Sequence, residues 1–260
     1  MGIEVIEPQL IRNVTVVGDP DTTTRVVHRL LRDLTRTGTG VSSTVHWTTD
    51  HTDHTIRIAE LSSHAPIVPL ERSIRVADGL IAVMDAAAKR DPRLETALRV
   101  ADDHQVARLC LVTGLDHPAA DFGHCVATIA DTHGAVPLAL QLPHGIGTEF
   151  EGALDLLSLG EFEQVAADLA GSHRTAAEQC YRHLVDTVVD DAVIADLSGP
   201  CKIPAGRLHH RIRYLTQIGD IAPVLCDTTP WGAIAALLDA IVRYLPSPLH
   251  VCQPEHALDY

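Results

Sequence analysis

Short apolar runs alternating with helical patterns constrain this chain more than any other feature. "VTVVG" (14–18) precedes an amphipathic stretch that reads as a helix from Thr22, and "STVHW" and "TIRIAEL" read as a hairpin. "PIVPLERSIRVA" has helical periodicity, "LIAVMD" reads as a strand and a helix follows from Pro92. "ARLCLVTG" is the next strand, a helix follows from Pro118, and "AVPLALQL" is a strand again. Strands alternating with helices imply βαβ units, and apolar runs without period-2 alternation suit strands covered on both faces. The fold expected is α/β, with a mostly parallel central sheet flanked by helices.

After Pro143 the texture changes. "HGIGTEFEGALDLLSLGEFE" mixes short apolar pieces with Gly and acids, and two helical stretches follow, "RTAAEQCYRHLVDTVVDDAVIADL" and "PAGRLHHRIRYLTQIGD". "IAPVLC" and "WGAIAALLDAIVRYL" then restore the strand-then-helix rhythm. This reads as one domain over residues 1–260 with an inserted α-rich subdomain at 143–222. Neither an internal repeat nor a low-complexity tract is visible.

A chain of 260 residues with 46 % apolar content can build a large core. It has no apolar run long enough to span a bilayer. The start, "MGIEVIEPQLIRN", carries no positively charged leader, so cytoplasm is the expected compartment and no membrane is expected. The net charge is −14, and only Lys89 and Lys202 are lysines among the 20 basic residues. Phosphate-backbone binding needs clustered cations, so extensive nucleic-acid contact is not expected. Six cysteines, Cys110, Cys125, Cys180, Cys201, Cys226 and Cys252, show no C-x-x-C pairing and read as reduced thiols of a core.

"GDPDTTTR" (18–25) occupies the strand-to-helix junction where a nucleoside triphosphatase carries G-x-x-x-x-G-K-[ST], but the second glycine and the lysine are missing. Glycines let backbone N–H groups turn inward around phosphates, in conformations that β-branched residues resist. The stretch reads instead as a turn followed by a threonine helix cap at Thr22–Thr24, with Arg25 the residue there that could still meet an anion.

Several stretches resemble the G domain of translational GTPases of the elongation factor G family. "LERSIRVADGLIAVMDA" is similar to that family's second-switch helix and following strand. "VPLALQLPHGIGTEFEGALDLL" is similar to its sixth strand and the entry to its inserted subdomain, and "LLDAIVRYLPSPL" to its closing helix. The resemblance runs in order over nearly the whole chain and implies a P-loop GTPase-like, bacterial-type fold.

What the resemblance implies for nucleotide chemistry is a set of eroded elements. The phosphate loop maps onto Gly18, Asp21, Thr23, Thr24 and Arg25, with the lysine position on Thr23 or Thr24. The family's Asp-Thr-Pro-Gly-His maps onto "ELSSH": Glu60 replaces the aspartate, Ser63 the glycine, and His64 stands at the catalytic histidine. Asn-Lys-x-Asp maps onto "TGLD", where Asp116 is retained and Gly114 replaces the stacking lysine. The last guanine element falls near "CDTT", which puts Asp227 toward the base. The segment 38–58 lacks the family's first-switch sequence.

Other chemistry-bearing stretches read as structural. "DHTDH" (50–54), with His46 upstream, has ligand types suited to Zn²⁺ or Ni²⁺ but no zinc spacing, and reads as a polar hairpin tip. "LHHR" around His209 and His210 reads as a polar helix face. Ser42, Ser43 and Ser73 stand outside G-x-S-x-G, and the pairs Asp102–Asp103 and Asp190–Asp191 read as solvated helix faces.

The function expected is that of a stand-alone, degenerate translational-GTPase-like G domain, a non-hydrolysing binding or regulatory protein for which no cofactor is expected. The alternative is a divergent GTPase with weak activity, needing GTP or GDP with Mg²⁺ and using His64. A protein partner or self-association is expected through an apolar patch at Leu245, Leu249 and Val251, and the resemblance implies a residual link to the ribosome.

Overall fold

The computed structural model describes residues 7–32, 43–132, 134–159, 171–189, 203–228 and 232–251. Strands β1 (Ile11–Gly18), β2 (Thr44–Thr49), β3 (Thr52–Ser62), β4 (Gly79–Asp85), β5 (Ala107–Thr113), β6 (Val136–Ala139) and β9 (Ile221–Cys226) form one sheet in the order β2-β3-β1-β4-β5-β9-β6. Every pairing in it is parallel except that of the edge hairpin β2–β3. β7 (Gln141–His144) and β8 (Gly152–Asp155) make a separate antiparallel pair. The expected α/β architecture is therefore the fold adopted.

Both faces of the central strands β4, β5 and β9 are dry, which is why these read as unbroken apolar runs. On one face Val14, Val16, Ile56, Ile81, Leu109 and Leu111 pack under α1 (Pro20–Arg32), α6 (Gly171–Val188), α7 (Ala205–Gln217) and α8 (Gly232–Tyr244). On the other, Val17, Leu80, Ala82, Cys110 and Val112 pack under α2 (Ile67–Arg75), α3 (Pro92–Asp103) and α4 (Phe122–Asp131). A single turn, α5 (Leu156–Leu159), completes the helices among the described residues. Residues alternate between the two cores along each strand, as side-chain period 2 requires.

Four boundaries differ from the sequence reading. α1 begins at Pro20 rather than Thr22, because Asp19 caps it and Pro20 presets the first helical φ. α4 begins at Phe122 rather than Pro118, because Asp121 accepts the His124 amide at 2.8 Å as its cap. The run "AVPLALQL" breaks at Leu140, where the chain leaves the central sheet to make β7. Ile221 and Ala222, placed within the inserted segment by sequence, are the first residues of the central strand β9. Of that segment, 160–170 and 190–202 lie outside the described residues, as do Cys201, Asp190 and Asp191, and Cys252 near the chain end.

The hairpin forms as expected, with Asp50 and His51 as its two-residue turn at φ 49° and 60°. This mirror-image turn matches strand twist, and aspartate tolerates the left-handed region better than most residues. Among the described residues no helix is long and apolar enough to cross a membrane.

Candidate functional site at the strand C-terminal edge

The C-terminal ends of β1, β4, β5 and β9 meet at one edge of the sheet, beside the point where the chain's winding reverses around β1 and β4. Ligands of open α/β sheets bind in such a crevice. There a cleft of about 470 Å³ is lined by Thr22, Arg25 and Arg29 of α1, Asp85 at the end of β4, Asp116 after β5 and Asp227 after β9. A larger cavity of about 770 Å³ opens at the opposite end of the sheet, between Val68, Arg72 and Arg75 of α2, Asp78, His104 and Val251.

The phosphate side of the edge is closed by the chain itself. Only Asp19 separates β1 from α1, so there is no wide loop to wrap an anion. The Asp19 carboxylate accepts the amides of Asp21 at 3.1 Å and Thr22 at 3.3 Å. Its carbonyl takes the Thr23 amide at 2.8 Å. These amides are the free donors with which a helix N-terminus holds phosphate, and an internal carboxylate occupies them. The threonines are thus not the cap expected of them.

Gly18 is required for packing: a Cβ there would stand 2.7 Å from the Val83 carbonyl and 2.9 Å from Thr23 Oγ1. Thr23 is fully buried and its hydroxyl has no partner among the described residues, while Thr24 is exposed and donates to the Glu60 carboxylate at the end of β3. Arg25 folds back on its own helix, with Nη2 on Thr22 Oγ1 at 3.1 Å and Nε on the Asp21 carbonyl at 3.4 Å. Asp21 is exposed. Ser63 is tied in twice, its amide to the Gly18 carbonyl at 2.8 Å and its hydroxyl to Asp91 at 3.1 Å. His64 points away as an exposed residue whose amide donates to Ser62 Oγ at 3.1 Å, and it does not line the cleft.

The base side is open. Gly114 sits at φ +69°, and a Cβ there would lie 2.5 Å from Asp85 Oδ1, so both backbone and space exclude a lysine. Asp85 lines the cleft and its Oδ1 accepts the Ala87 amide at 2.9 Å, and Asp116 is exposed with no partner among the described residues. Asp227 is held by the bond from its amide to the Val112 carbonyl at 2.7 Å and pairs with Arg29 across the cleft. The structure therefore brings together Thr22, Arg25, Asp116 and Asp227, and leaves out His64.

Arg29 and Asp85 were not singled out from sequence. Arg29 lies four residues after Arg25, hence on the same helix face, and Asp85 ends the apolar run of a central strand; both were signals available in the sequence.

Away from the cleft, "DHTDH" does not converge. Asp50 lies 3.5 Å from Arg243, Asp53 takes the Thr48 hydroxyl, and His54 turns into the core. No group of three or more His, Cys, Asp or Glu side chains able to hold a metal occurs among the described residues. His209 does not belong to a polar face as expected; its Nδ1 lies 2.7 Å from Tyr244 Oη, whereas His210 is exposed. Burial pushes the Cys110 and Cys226 thiols up to about 12 and that of Cys125 to about 11, so these three stay protonated. Leu245 is fully buried against Gly79 and drops out of the expected apolar patch, while Leu249 is 61 % exposed.

The mostly parallel sheet flanked by helices, with a crevice at its C-terminal edge, is that of a P-loop GTPase-like fold, although the β1-to-α1 junction lacks the wide phosphate loop. The chain belongs to the elongation factor Tu GTP binding domain family, whose model matches residues 41–247. That span begins after β1 and α1, so the family match rests on the rest of the fold. A crystal structure from Thermus thermophilus, of ttk003000868, superposes with a TM-score of 0.67 at 17 % identity, covering 92 % of this chain and 41 % of that one. The chain thus spans less than half the length of that relative in fold.

Proposed function

We propose that this chain is a translational-GTPase-like G domain of the elongation factor G type that has kept the fold and lost efficient GTP turnover, and that it acts as a binding or regulatory protein without a cofactor. The observation that carries this reading is the Asp19 carboxylate on the first amides of α1, where a G domain needs those amides for phosphate. The missing lysine, the buried Thr23 and the outward His64 support it. Steady-state GTP hydrolysis at the rate of a buffer blank, together with an unfolding temperature unmoved by GTP or GDP with Mg²⁺, is the result expected. A ligand that binds only the folded state must raise that temperature.

One contact favours a second reading, a divergent GTPase of weak activity. Thr24 Oγ1 meets Glu60, a hydroxyl and a carboxylate of the kind that hold Mg²⁺ beside a nucleotide. The fit is incomplete, because the two groups satisfy each other and Glu60 is one methylene longer than aspartate. On this reading Thr24→Ala abolishes a Mg²⁺-dependent activity; on the first there is none to abolish.

As to partners, the exposed Leu249, with Val68 and Val76 at 71 % and 75 % exposure on the same end of the domain, supports association with a protein or a second copy rather than a membrane or nucleic acid. A residual ribosome link and a cytoplasmic location belong to the same proposal, and family membership is what supports them.

A further inference from the structure

The end of the sheet remote from the cleft carries a surface with both signs of charge around exposed apolar side chains. α2 turns Leu70 and Ile74 into the core. Its outer side bears Val68, Arg72, Arg75 and Val76, spaced i, i+4, i+7 and i+8 and therefore on one stripe. This stripe lines the cavity of about 770 Å³ together with Asp103 at the end of α3 and with Pro246 and Val251 after α8. Where α2 meets the end of α3, His104 Nε2 lies 3.2 Å from Glu71 Oε1. Asp78 is spent on Asn13, accepting its amide at 3.0 Å and its side-chain nitrogen at 2.8 Å. Arg72 and Asp103 are both exposed, and neither forms an ion pair among the described residues.

We infer that this surface joins two copies of the chain about a two-fold axis, with Arg72 of each copy opposite Asp103 of the other. Val68 and Val76 are then covered by Leu249 and Val251 of the second copy. The inference rests on the reading above that this apolar end associates with a protein, and it names that protein. A two-fold interface must be self-complementary: if one residue meets another across it, the reverse contact is made as well. A basic residue and an acidic residue beside a shared apolar patch meet that condition. A partner of one sign satisfies Arg72 or Asp103 but not both, whereas a second copy satisfies both in one contact. A polyanion, whether lipid surface or nucleic acid, meets Asp103 and a net charge of −14. The valines supply the dry contact, and the charges around them set its register.

The test is analytical sedimentation of the full chain over about a hundredfold range of concentration, in which a dimer gives way to monomer on dilution. Val68→Asp combined with Val76→Asp should leave a folded monomer, because both positions are exposed; an unchanged far-ultraviolet circular dichroism spectrum checks the fold. Arg72→Asp and Asp103→Arg each set like charges together at both equivalent contacts and should weaken the dimer about tenfold. An equimolar mixture of these two single variants should regain the parent affinity, since in the mixed pair both contacts join opposite charges. A parent chain that stays monomeric throughout overturns the inference alone and leaves the wider reading of protein association in place. A dimer indifferent to the double valine substitution overturns both, because association then uses another face. A mixture that associates no better than its components overturns the two-fold pairing, and the inference with it.

Discussion

The two sides of the same sheet edge have been treated differently. At the β1–α1 and β3–α2 junctions, four groups mapped near the phosphate and its metal bond to the chain instead: Asp19 to two amides, Thr24 to Glu60, Arg25 to Thr22, Ser63 to Asp91. At the β5 and β9 ends, Asp116 stays exposed with no partner among the described residues, and Asp85 lines the cleft. The phosphate side has thus become part of the scaffold, while the base side is still a cleft. On the proposed reading, donors satisfied within the chain remove a site without any loss of packing beneath it.

The most severe way to break this comparison is to force the lost cation back. Thr23→Lys places an ammonium at a position with no exposed surface, beside the Val83 carbonyl and Gly18 and with no acid bonded there. The expected cost is about 3–5 kcal/mol, the range of an uncompensated buried charge. Urea unfolding measures it. A loss below about 1 kcal/mol would mean that the junction opens readily and that a working loop is accessible.

A milder change sharpens it. Asp19→Ala removes the cap of α1 and should cost about 1 kcal/mol. It should also free the Asp21 and Thr22 amides, so that millimolar sulfate raises the unfolding temperature of the variant and not of the parent chain. Equal sulfate effects on both would contradict the claim that the carboxylate occupies the anion position.

The smallest expected effect lies at the other end of the sheet. Burial, with Arg12 next and Arg213 nearby, holds His54 below its ordinary value of 6.5 against the opposing pull of Asp53 and Asp50. The unfolded chain then takes up the proton more readily than the folded one, so stability falls as pH drops below about 6.5 and levels off once the lowered folded value is passed. His54→Gln should flatten that slope, because it removes the imidazole that burial disfavours in its charged form. Chemical denaturation at pH 7.5 and pH 5.5 reads the difference.

Most of the sheet was legible because burial on both faces writes itself as uninterrupted apolar runs; the seven residues of β5 are all buried. Helix starts were legible where a proline stood at the start without a rival, as at Asp91–Pro92, Pro66 and Pro204. At Asp19–Pro20 the same pair was present, but three threonines competed with it as cap candidates. At Pro118 the proline lay in a turn three residues before the real cap, Asp121. The break at Leu140 left no trace in hydropathy, since both sides of it remain apolar.

The candidate site was half legible. Asp116 and Asp227 could be found by position along the chain, but the pairing of Asp227 with Arg29 joins residues 198 apart and depends on the tertiary fold. That Asp19 is a lid on the helix start rather than a stray charge in a loop also depended on where α1 begins, which the threonines concealed. His64 kept its place in the sequence and lost its place in the site, because Ser63 anchors the segment to Gly18 and Asp91 and leaves the next side chain in solvent.

Capping of α1 by the Asp19 carboxylate is proposed to abolish phosphate binding in a chain that keeps the G-domain fold. Titration of GDP with Mg²⁺ into the purified full chain tests it most directly. The account predicts no saturable binding up to millimolar nucleotide from protein that unfolds cooperatively; a dissociation constant in the micromolar range or below would contradict it.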